Sequence, residues 1–247
     1  MKKLPPGKYW NETIDIQVGC QPCSPGCEHC WAAAMGQRFG EAWGWPDGIV
    51  EGGKWTGKTY MPPPARAKVE RWKAPRVIAV NWKGDLFHGK TFHASQTLRP
   101  IAYDNPKHIW LLLTKHSRCI PSFSMSQWHF DNLWYGITIC NQKEADEKIG
   151  YLLQARGCKW LSIEPMLGPI DIPLDQLRQL GQVIIGGETG PGARPMAAGW
   201  VRRIRDDCGR AGVPFFFKQW GGGRKDRFLD GVEHNNLAWG DILRGIK

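Results

Sequence analysis

The stretch WLSIEPMLGPIDIPLDQLRQLGQVIIGGE, residues 160–188, contains two short apolar runs separated by polar and helix-forming residues. Such runs are typical of buried parallel strands that are joined by crossover segments. The same rhythm recurs along the chain, with apolar runs that begin at residues 77, 109, 133, 160, 183 and 214. This spacing is close to the roughly 30 residues of a β/α unit. A seventh run, IDIQVGC at 14–20, precedes them. The sequence therefore predicts an α/β fold, an incomplete TIM-like β/α barrel with six to seven parallel strands.

The length of 247 residues is sufficient for one such barrel, and we predict a single domain over residues 1–247. Its predicted parts are a cysteine-rich loop with the first β/α unit at 14–39, an insertion or lid at 40–75, the remaining β/α units at 76–220 and a C-terminal extension at 221–247. The insertion is rich in Gly, Pro, Trp and Lys and has no steady period, so it does not resemble a core element.

Two helices are expected from local sequence. WAAAMGQRFG at 31–40 is rich in helix-forming residues and ends in a glycine that favours helix termination. AAGWVRRIRDDCGRAG at 197–212 places Trp200, Val201, Ile204 and Cys208 on one face of a helix. Charged residues occupy the opposite face, which is the pattern of an amphipathic crossover helix.

The composition favours an intracellular protein with a polyanionic partner. The chain carries 33 Lys and Arg against 23 Asp and Glu, a formal net charge of +10, which favours nucleic acid as a partner. Its 14 tryptophans add aromatic faces on which bases can stack. No apolar run reaches the length of a membrane span and no secretory signal is visible, so we expect a cytoplasmic protein with no membrane partner. Thiols stay reduced in that compartment, and clustered cysteines then indicate metal binding.

Polar residues follow the predicted strands at the points where those strands end. Because active sites of β/α barrels lie at the carboxyl ends of the strands, we expect these side chains to meet at one mouth. The alternative is that they end strands merely because the chain turns there. The residues concerned are Asp85, His88, Lys115, Thr138, Asn141, Glu164, Glu188, Lys218 and Gln219.

The loop GCQPCSPGCEHC at 19–30 holds four cysteines, which are Cys20, Cys23, Cys27 and Cys30. Both C-x3-C-x2-C and C-x6-C-x2-C spacings occur, and either set of three thiolates can bind three irons of a cubane cluster and leave the fourth iron open. Structural zinc is one alternative, although its two cysteine pairs are usually farther apart in sequence. A closed four-cysteine cluster is another.

Seven ordered motifs resemble those of one known family. They are SPGCEHCW at 24–31, GDLFH at 84–88, LLLTK at 111–115, YGIT at 135–138, LSIEP at 161–165, GGETGPGARPM at 186–196 and PFFFKQWG at 214–221. Together they resemble the phage-associated radical S-adenosylmethionine proteins, a family long described as of unknown function. The resemblance runs from about residue 10 to 232. The family's first cysteine matches Cys20, and the family usually has an aliphatic residue where this chain has Cys23. Cys23 nevertheless supplies the spacing that is common in the wider superfamily, so the resemblance implies either Cys20 or Cys23 as the third cluster ligand.

This resemblance implies a partial barrel of the radical S-adenosylmethionine type with a [4Fe-4S] cluster and S-adenosylmethionine as cofactors. It implies that Gly186, Gly187, Glu188 and Arg194 bind the methionine end of that cofactor, with Glu188 on its ammonium and Arg194 on its carboxylate. The alternative for this segment is a glycine-rich turn with a salt bridge.

The other expected site residues divide into two groups. Glu164 and Thr138 are expected on the cofactor side, Glu164 either on ribose hydroxyls or as a partner of Lys115 or Lys218. Asp85, His88, Lys115 and Lys218 are the expected catalytic residues.

The lead functional hypothesis is a radical isomerase that rearranges an amino-acid-modified thymine in phage DNA, because hydrogen removal from an unactivated carbon requires radical chemistry. It predicts DNA and an external electron donor as partners, and host cytoplasm as the location if the gene is carried by a phage. One alternative is a repair enzyme similar to spore photoproduct lyase, with Cys140 as hydrogen donor. The other is a zinc-stabilised nucleic-acid-binding module without enzymatic activity.

Overall fold

The computed structural model describes residues 5–63, 65–88, 91–125, 130–224 and 226–244. Pro64 of the insertion, and Lys225 and 245–247 of the C-terminal extension, lie outside the described residues. The strands are β1 Glu12–Ile14, β2 Val50–Glu51, β3 Lys54–Trp55, β4 Val77–Val80, β5 Ile109–Thr114, β6 Leu133–Thr138, β7 Cys158–Ile163, β8 Gln182–Gly186, β9 Phe215–Gln219, β10 Phe228–Leu229 and β11 Val232–Glu233. The helices are α1 Trp31–Phe39, α2 Arg66–Glu70, α3 Thr91–Tyr103, α4 Ile120–Met125, α5 Gln142–Leu153, α6 Leu174–Leu177, α7 Ala198–Ala211 and α8 Gly240–Arg244.

Within these described ranges, seven strands form one parallel sheet in the order β1-β4-β5-β6-β7-β8-β9. Every neighbouring pair in this sheet is parallel. The sheet is a half-barrel, so the α/β class and the incomplete barrel expected from the apolar runs are confirmed. The six runs from residue 77 onward all contain a strand of this sheet.

The first strand differs from its prediction. Only Ile14 of the run at 14–20 belongs to β1, and the chain beyond it leaves the sheet. The side chain of Asn81, at the end of β4, accepts hydrogen bonds from the backbone N–H groups of Ile16 and Gln17 and donates one to the Gln17 carbonyl. The amide side chain thus replaces the strand ladder. Ile14, Ile16 and Val18 are buried, which accounts for the strand-like apolar alternation.

Both predicted helices are present. The first, α1, covers all but the last residue of 31–40. The second, α7, buries Val201, Ile204 and Cys208 against the outer face of the sheet, and Trp200 is partly buried beside them. It ends at Gly212, whose φ of 73° is the left-handed conformation that glycine adopts without strain.

Aromatic residues fill the closed end of the concave face of the half-barrel. Tyr9, Trp160, Phe216 and Trp239 are buried there, and Trp160 lies so close to β6 that a side chain at Gly136 would collide with its ring. The indole N–H of Trp239 donates to the Tyr9 carbonyl over 2.7 Å, which joins the two terminal segments beneath the sheet. This floor confines the open part of the concave face to the carboxyl ends of the strands.

The segment at 40–75 is ordered where the structure describes it, and it packs on the cysteine-loop side of the molecule. Strands β2 and β3 form an antiparallel hairpin whose Trp55 is buried against Ala32 and Ala33 of α1. Cys20 and Cys30 lie partly buried at the edge of this small core. No helix among the described residues is both long and apolar enough to cross a membrane.

Candidate active site

A cavity opens at the carboxyl ends of the parallel strands. Its volume is about 190 Å³. The thiols of Cys20, Cys23, Cys27 and Cys30 contribute to its wall. The opposite wall is polar and comes from strand ends, namely Asp85, Lys115, Thr138, Ser162, Glu164, Gly187, Glu188 and Lys218. The structure thus places these strand-end residues and the cysteine loop around one mouth.

The cysteine loop has a defined local structure. Ser24 caps a short 3₁₀ helix, Pro25–Cys27, by accepting a hydrogen bond from the Gly26 N–H over 3.2 Å. A Cβ atom at Gly26 would lie 2.5 Å from the Cys140 sulfur and 3.0 Å from the Pro165 Cδ. Glycine is therefore needed at this position because the loop backbone lies directly on the ends of β6 and β7.

Cys20 and Cys23 differ in how firmly they are held. The Cys20 carbonyl accepts a hydrogen bond from Gly57 N–H, and the preceding Gly19 carbonyl accepts one from Asp85 N–H. Gly19 has a φ of 102°, and a side chain there would collide with the Lys58 carbonyl. Cys20 is partly buried, whereas Cys23 is exposed. All eight cysteines lie in the described part of the chain and are free thiols.

The thiols of the loop differ in acidity. A hydrogen bond from the Cys23 thiol is the largest of the effects that lower the pKa of Cys27 to about 5, and nearby Lys115 adds to it against the effect of burial. The same hydrogen bond is the main reason that the pKa of Cys23 is raised. Burial, followed by the Asp85 carboxylate, raises the pKa of Cys20. Cys27 is therefore more readily available as a metal-binding thiolate near neutral pH than Cys20 or Cys23.

Asp85 supports the loops around the cavity. Its carboxylate accepts hydrogen bonds from the Thr114 hydroxyl, Phe87 N–H and Lys115 N–H, at 2.7 to 3.1 Å. His88 does not line the cavity, and its Nε2 lies 3.0 Å from the Gly57 carbonyl of the insertion. Both residues were expected to be catalytic, and the structure gives His88 a contact with the insertion instead of a place in the cavity.

Lys115 projects into the cavity beside the thiol loop. Within the described residues its ammonium group has neither a hydrogen-bond nor an ion-pair partner, although Gly26 packs against its aliphatic chain. Burial alone would lower the pKa of Lys115, but the sulfurs of Cys140, Cys27 and Cys30 outweigh it and raise that pKa. The Thr138 hydroxyl likewise lines the cavity with no hydrogen bond to a described residue. These two groups are free to bind a ligand.

Glu164 pairs with Lys218, whose Nζ lies 2.6 Å from one carboxylate oxygen. The other oxygen accepts hydrogen bonds from the hydroxyls of Tyr9 and Ser162, each over 3.0 Å. Burial and the Glu164 charge raise the pKa of Tyr9 well above its usual value, so this hydroxyl stays protonated. The partner of Glu164, left open by the sequence, is therefore Lys218 and not Lys115.

The GGETGPGARP segment binds the cysteine loop. The Glu188 carboxylate accepts hydrogen bonds from the Arg194 backbone N–H at 2.9 Å and from its guanidinium Nε at 2.8 Å, and it lies 3.0 Å from His29 Nδ1. Arg194 also donates to the carbonyl of Pro25 and to the Glu28 carboxylate. Burial would raise the pKa of Glu188, but Arg194 and His29 together lower it to about 2.

These contacts engage two residues that are expected on the cofactor, Glu188 and Arg194, with each other. Arg194 does not line the cavity, and its guanidinium is occupied by Glu188, Glu28 and Pro25. The glycine-rich turn with a salt bridge, given above as the alternative, is the arrangement that the structure has. Gly187 lines the cavity and allows close approach to the Trp220 carbonyl, whereas Gly186 lies behind it, beside Glu164 and Lys218.

The donor set fits an iron–sulfur cluster. Four thiols from one eleven-residue stretch, Cys20–Cys30, line the same cavity, and sulfur is the donor that such clusters require. Lys115, with no anionic partner among the described residues, lies beside these thiols and would offset the negative charge of a thiolate-bound cluster. The residues present are therefore of the chemical type that the expected cofactor requires.

A family model described as a protein of unknown function, DUF5131, matches residues 7–245. The chain belongs to the DUF5131 family. No curated protein and no solved structure matches the chain.

Several residues of this DUF5131 site were not among the expected ones. His29 contacts Glu188, Tyr9 and Ser162 contact Glu164, and Trp31, half exposed, lines the mouth of the cavity. His116 lies next to Cys20 and Asp85. His29, Trp31 and His116 directly follow or lie within quoted motifs, and their chemistry was the only signal available. Tyr9 precedes the first predicted strand, where no pattern indicates a site.

Proposed function

We propose that this protein is a radical S-adenosylmethionine enzyme whose [4Fe-4S] cluster is held by the Cys20–Cys30 loop. The observation that carries the proposal is the convergence of four free thiols and Lys115, which has no ion-pair partner among the described residues, on one cavity at the carboxyl edge of a parallel half-barrel. That edge is where β/α barrels carry their active sites. When bound, the cluster and S-adenosylmethionine supply reductive cleavage to a 5′-deoxyadenosyl radical that abstracts hydrogen.

The residues of this chain hold the cluster, orient the ligand and shield the cavity from water. Cys27 and Cys30 bind iron together with Cys20 or Cys23, and their loop is fastened to the barrel by Arg194 and Glu188. Lys115 and Thr138 remain available for the polar end of a ligand, because neither has a hydrogen bond to a described residue. Below them, the buried aromatic floor that includes Tyr9 and Trp160 keeps water from the closed end of the cavity.

For the substrate, we propose an amino-acid-modified thymine in DNA, which the enzyme isomerises. The net charge of +10 favours a polyanion, and Trp31 at the cavity mouth offers an exposed aromatic face to an unstacked base. The repair alternative is less well supported, because its hydrogen donor, Cys140, is fully buried behind Gly26 and does not line the cavity.

The first experiment tests the cofactor. Protein purified and reconstituted without oxygen should be brown, contain iron and sulfide, and form 5′-deoxyadenosine from S-adenosylmethionine in the presence of a strong reductant. Cys27→Ala should lose both the cluster and this product, whereas Cys140→Ala, a buried thiol outside the loop, should retain the cluster. A colourless protein with zinc bound by all four loop cysteines contradicts the proposal.

The second experiment tests the substrate. Reconstituted enzyme is incubated with S-adenosylmethionine, reductant and DNA that carries an amino-acid-modified thymine, and the digested nucleosides are separated and weighed by mass spectrometry. Isomerisation should change the retention time of the modified nucleoside and leave its mass unchanged. Turnover of S-adenosylmethionine with no change in any nucleoside keeps the radical chemistry and refutes the DNA substrate.

A further inference from the structure

Three potential metal-binding groups meet behind the cysteine loop. The Cys20 sulfur, a carboxylate oxygen of Asp85 and a ring nitrogen of His116 all lie within 4.8 Å of one another. The Nε2 atom of His116 is buried and has no hydrogen-bond partner among the described residues. A buried ring nitrogen without a partner is costly, so a function for this nitrogen is expected.

Two contacts hold His116 in place, one through its backbone and one through its ring. Its own backbone N–H donates to the Thr114 hydroxyl over 2.8 Å. Its ring lies 5.3 Å from the ring of His88, at an interplanar angle of 31°. His88 in turn contacts the carbonyl of Gly57, whose N–H donates to the Cys20 carbonyl. The histidine and Cys20 are thus fixed through one set of contacts.

The neighbouring carboxylate has little capacity left for His116. Asp85 already accepts hydrogen bonds from the Thr114 hydroxyl and from the backbone N–H groups of Phe87 and Lys115. Among the described residues, by contrast, the Cys20 thiol has one hydrogen bond, a long contact of 3.6 Å with the Gln21 carbonyl, and that contact is lost when the thiol ionises to bind metal. Within this group of three, the Cys20 sulfur is then the atom with acceptor capacity to spare for the His116 ring nitrogen.

We propose that His116 is a positioning residue for the cluster, and that its Nε2–H donates a hydrogen bond to the Cys20 sulfur when that sulfur binds iron. This inference rests on the proposed function, and it requires Cys20 as the third ligand. A hydrogen bond to a ligating sulfur stabilises the more negative, reduced cluster and raises its reduction potential. His116 therefore makes the cluster easier to reduce by the external electron donor.

The test is a reduction potential, measured on reconstituted protein by redox titration followed by electron paramagnetic resonance, in the absence of S-adenosylmethionine. His116→Phe keeps a flat ring against His88 and removes the N–H donor. It should retain iron and sulfide but lower the potential by about 59 mV, equivalent to a tenfold change for a one-electron couple. His116→Gln, which keeps an N–H donor, should restore most of the shift. His234→Phe, which removes a histidine that packs on Phe215 and does not line the cavity, is the control and should leave the potential unchanged.

Two results overturn the inference and leave the proposed function intact. One is a His116→Phe protein with a full cluster and the wild-type potential. The other is a cluster that survives Cys20→Ala and is lost in Cys23→Ala, because His116 would then lie beside a sulfur that binds no iron. Failure of the wild-type protein to bind iron and sulfide refutes the proposed function itself, and the inference with it.

Discussion

The contact between Glu188 and Arg194 is expected to stabilise the fold measurably, and Glu188→Gln tests it. The pKa of Glu188 is lowered from 4.5 to about 2 by Arg194 and His29, against the opposing effect of burial. At about 1.4 kcal/mol for each pKa unit, the charged form is worth about 3 kcal/mol. The side chain of Glu188 is 4% exposed but that of Arg194 is 30% exposed, and solvent screening reduces the expected loss to about 2 kcal/mol.

The stabilisation by Glu188 should depend on pH, in a direction set by its lowered pKa. The folded-state pKa lies below the unfolded-state value, so the stabilisation is complete above pH 4.5 and is lost as the pH falls from there towards 2. About two fifths of it should be lost by pH 3.5. The assay is urea unfolding of the metal-free protein at pH 7 and at pH 3.5, followed by tryptophan fluorescence.

The matched control is Glu28→Gln. Glu28 pairs with the same arginine, but its side chain is 63% exposed, so its removal should cost less than about 0.5 kcal/mol. The reasoning is refuted if Glu188→Gln is no more destabilising than Glu28→Gln at pH 7. It is also refuted if the difference between wild type and Glu188→Gln stays constant when the pH is lowered to 3.5.

Three further predictions concern the cavity. Gly26→Ala places a Cβ 2.5 Å from the Cys140 sulfur and should destabilise the protein by about 1 to 3 kcal/mol in urea unfolding and lower its iron content after reconstitution. Lys115→Met should leave the free energy of unfolding within about 0.5 kcal/mol of wild type, because no described residue pairs with the ammonium group. The same variant should weaken S-adenosylmethionine binding about tenfold in equilibrium dialysis. Unchanged binding contradicts this role of Lys115. Trp31→Ala should weaken binding of a single-stranded oligonucleotide about tenfold in fluorescence anisotropy. The control is Phe228→Ala, which removes an aromatic ring of similar exposure away from the cavity and should leave binding unchanged. Equal losses of affinity in the two variants count against a stacking role for Trp31.

The sheet was predictable because its strands are continuous apolar runs. A strand such as β8, with every residue buried, carries its own signal, since a strand covered on both faces is a short, nearly continuous apolar run. The end of the first strand was not predictable. Ile16 and Val18 alternate as in a strand, but the side chain of Asn81, more than 60 residues away, takes the backbone hydrogen bonds that a neighbouring strand would otherwise take.

The types of residue at the site were also readable, while their partners were not. Glu164, Lys115 and Lys218 were all expected at the mouth, and the sequence gave no basis for choosing which lysine meets the carboxylate. Glu188 and Arg194 were expected on a ligand, yet they bind each other and the cysteine loop. A buried charged side chain pairs with the nearest opposite charge in the folded protein. Local sequence does not determine which side chain is nearest.

The amino-acid sequence by itself determined the α/β class, the succession of strands and the gathering of thiols and charges at the carboxyl ends of those strands, because burial and periodicity act over a few residues at a time. Only the tertiary structure decided that Arg194 fastens the cysteine loop, that His88 faces the insertion, and that His116 lies beside Cys20. These choices depend on contacts of a few ångströms between segments far apart in the chain, which exist only after the half-barrel has closed around its aromatic floor.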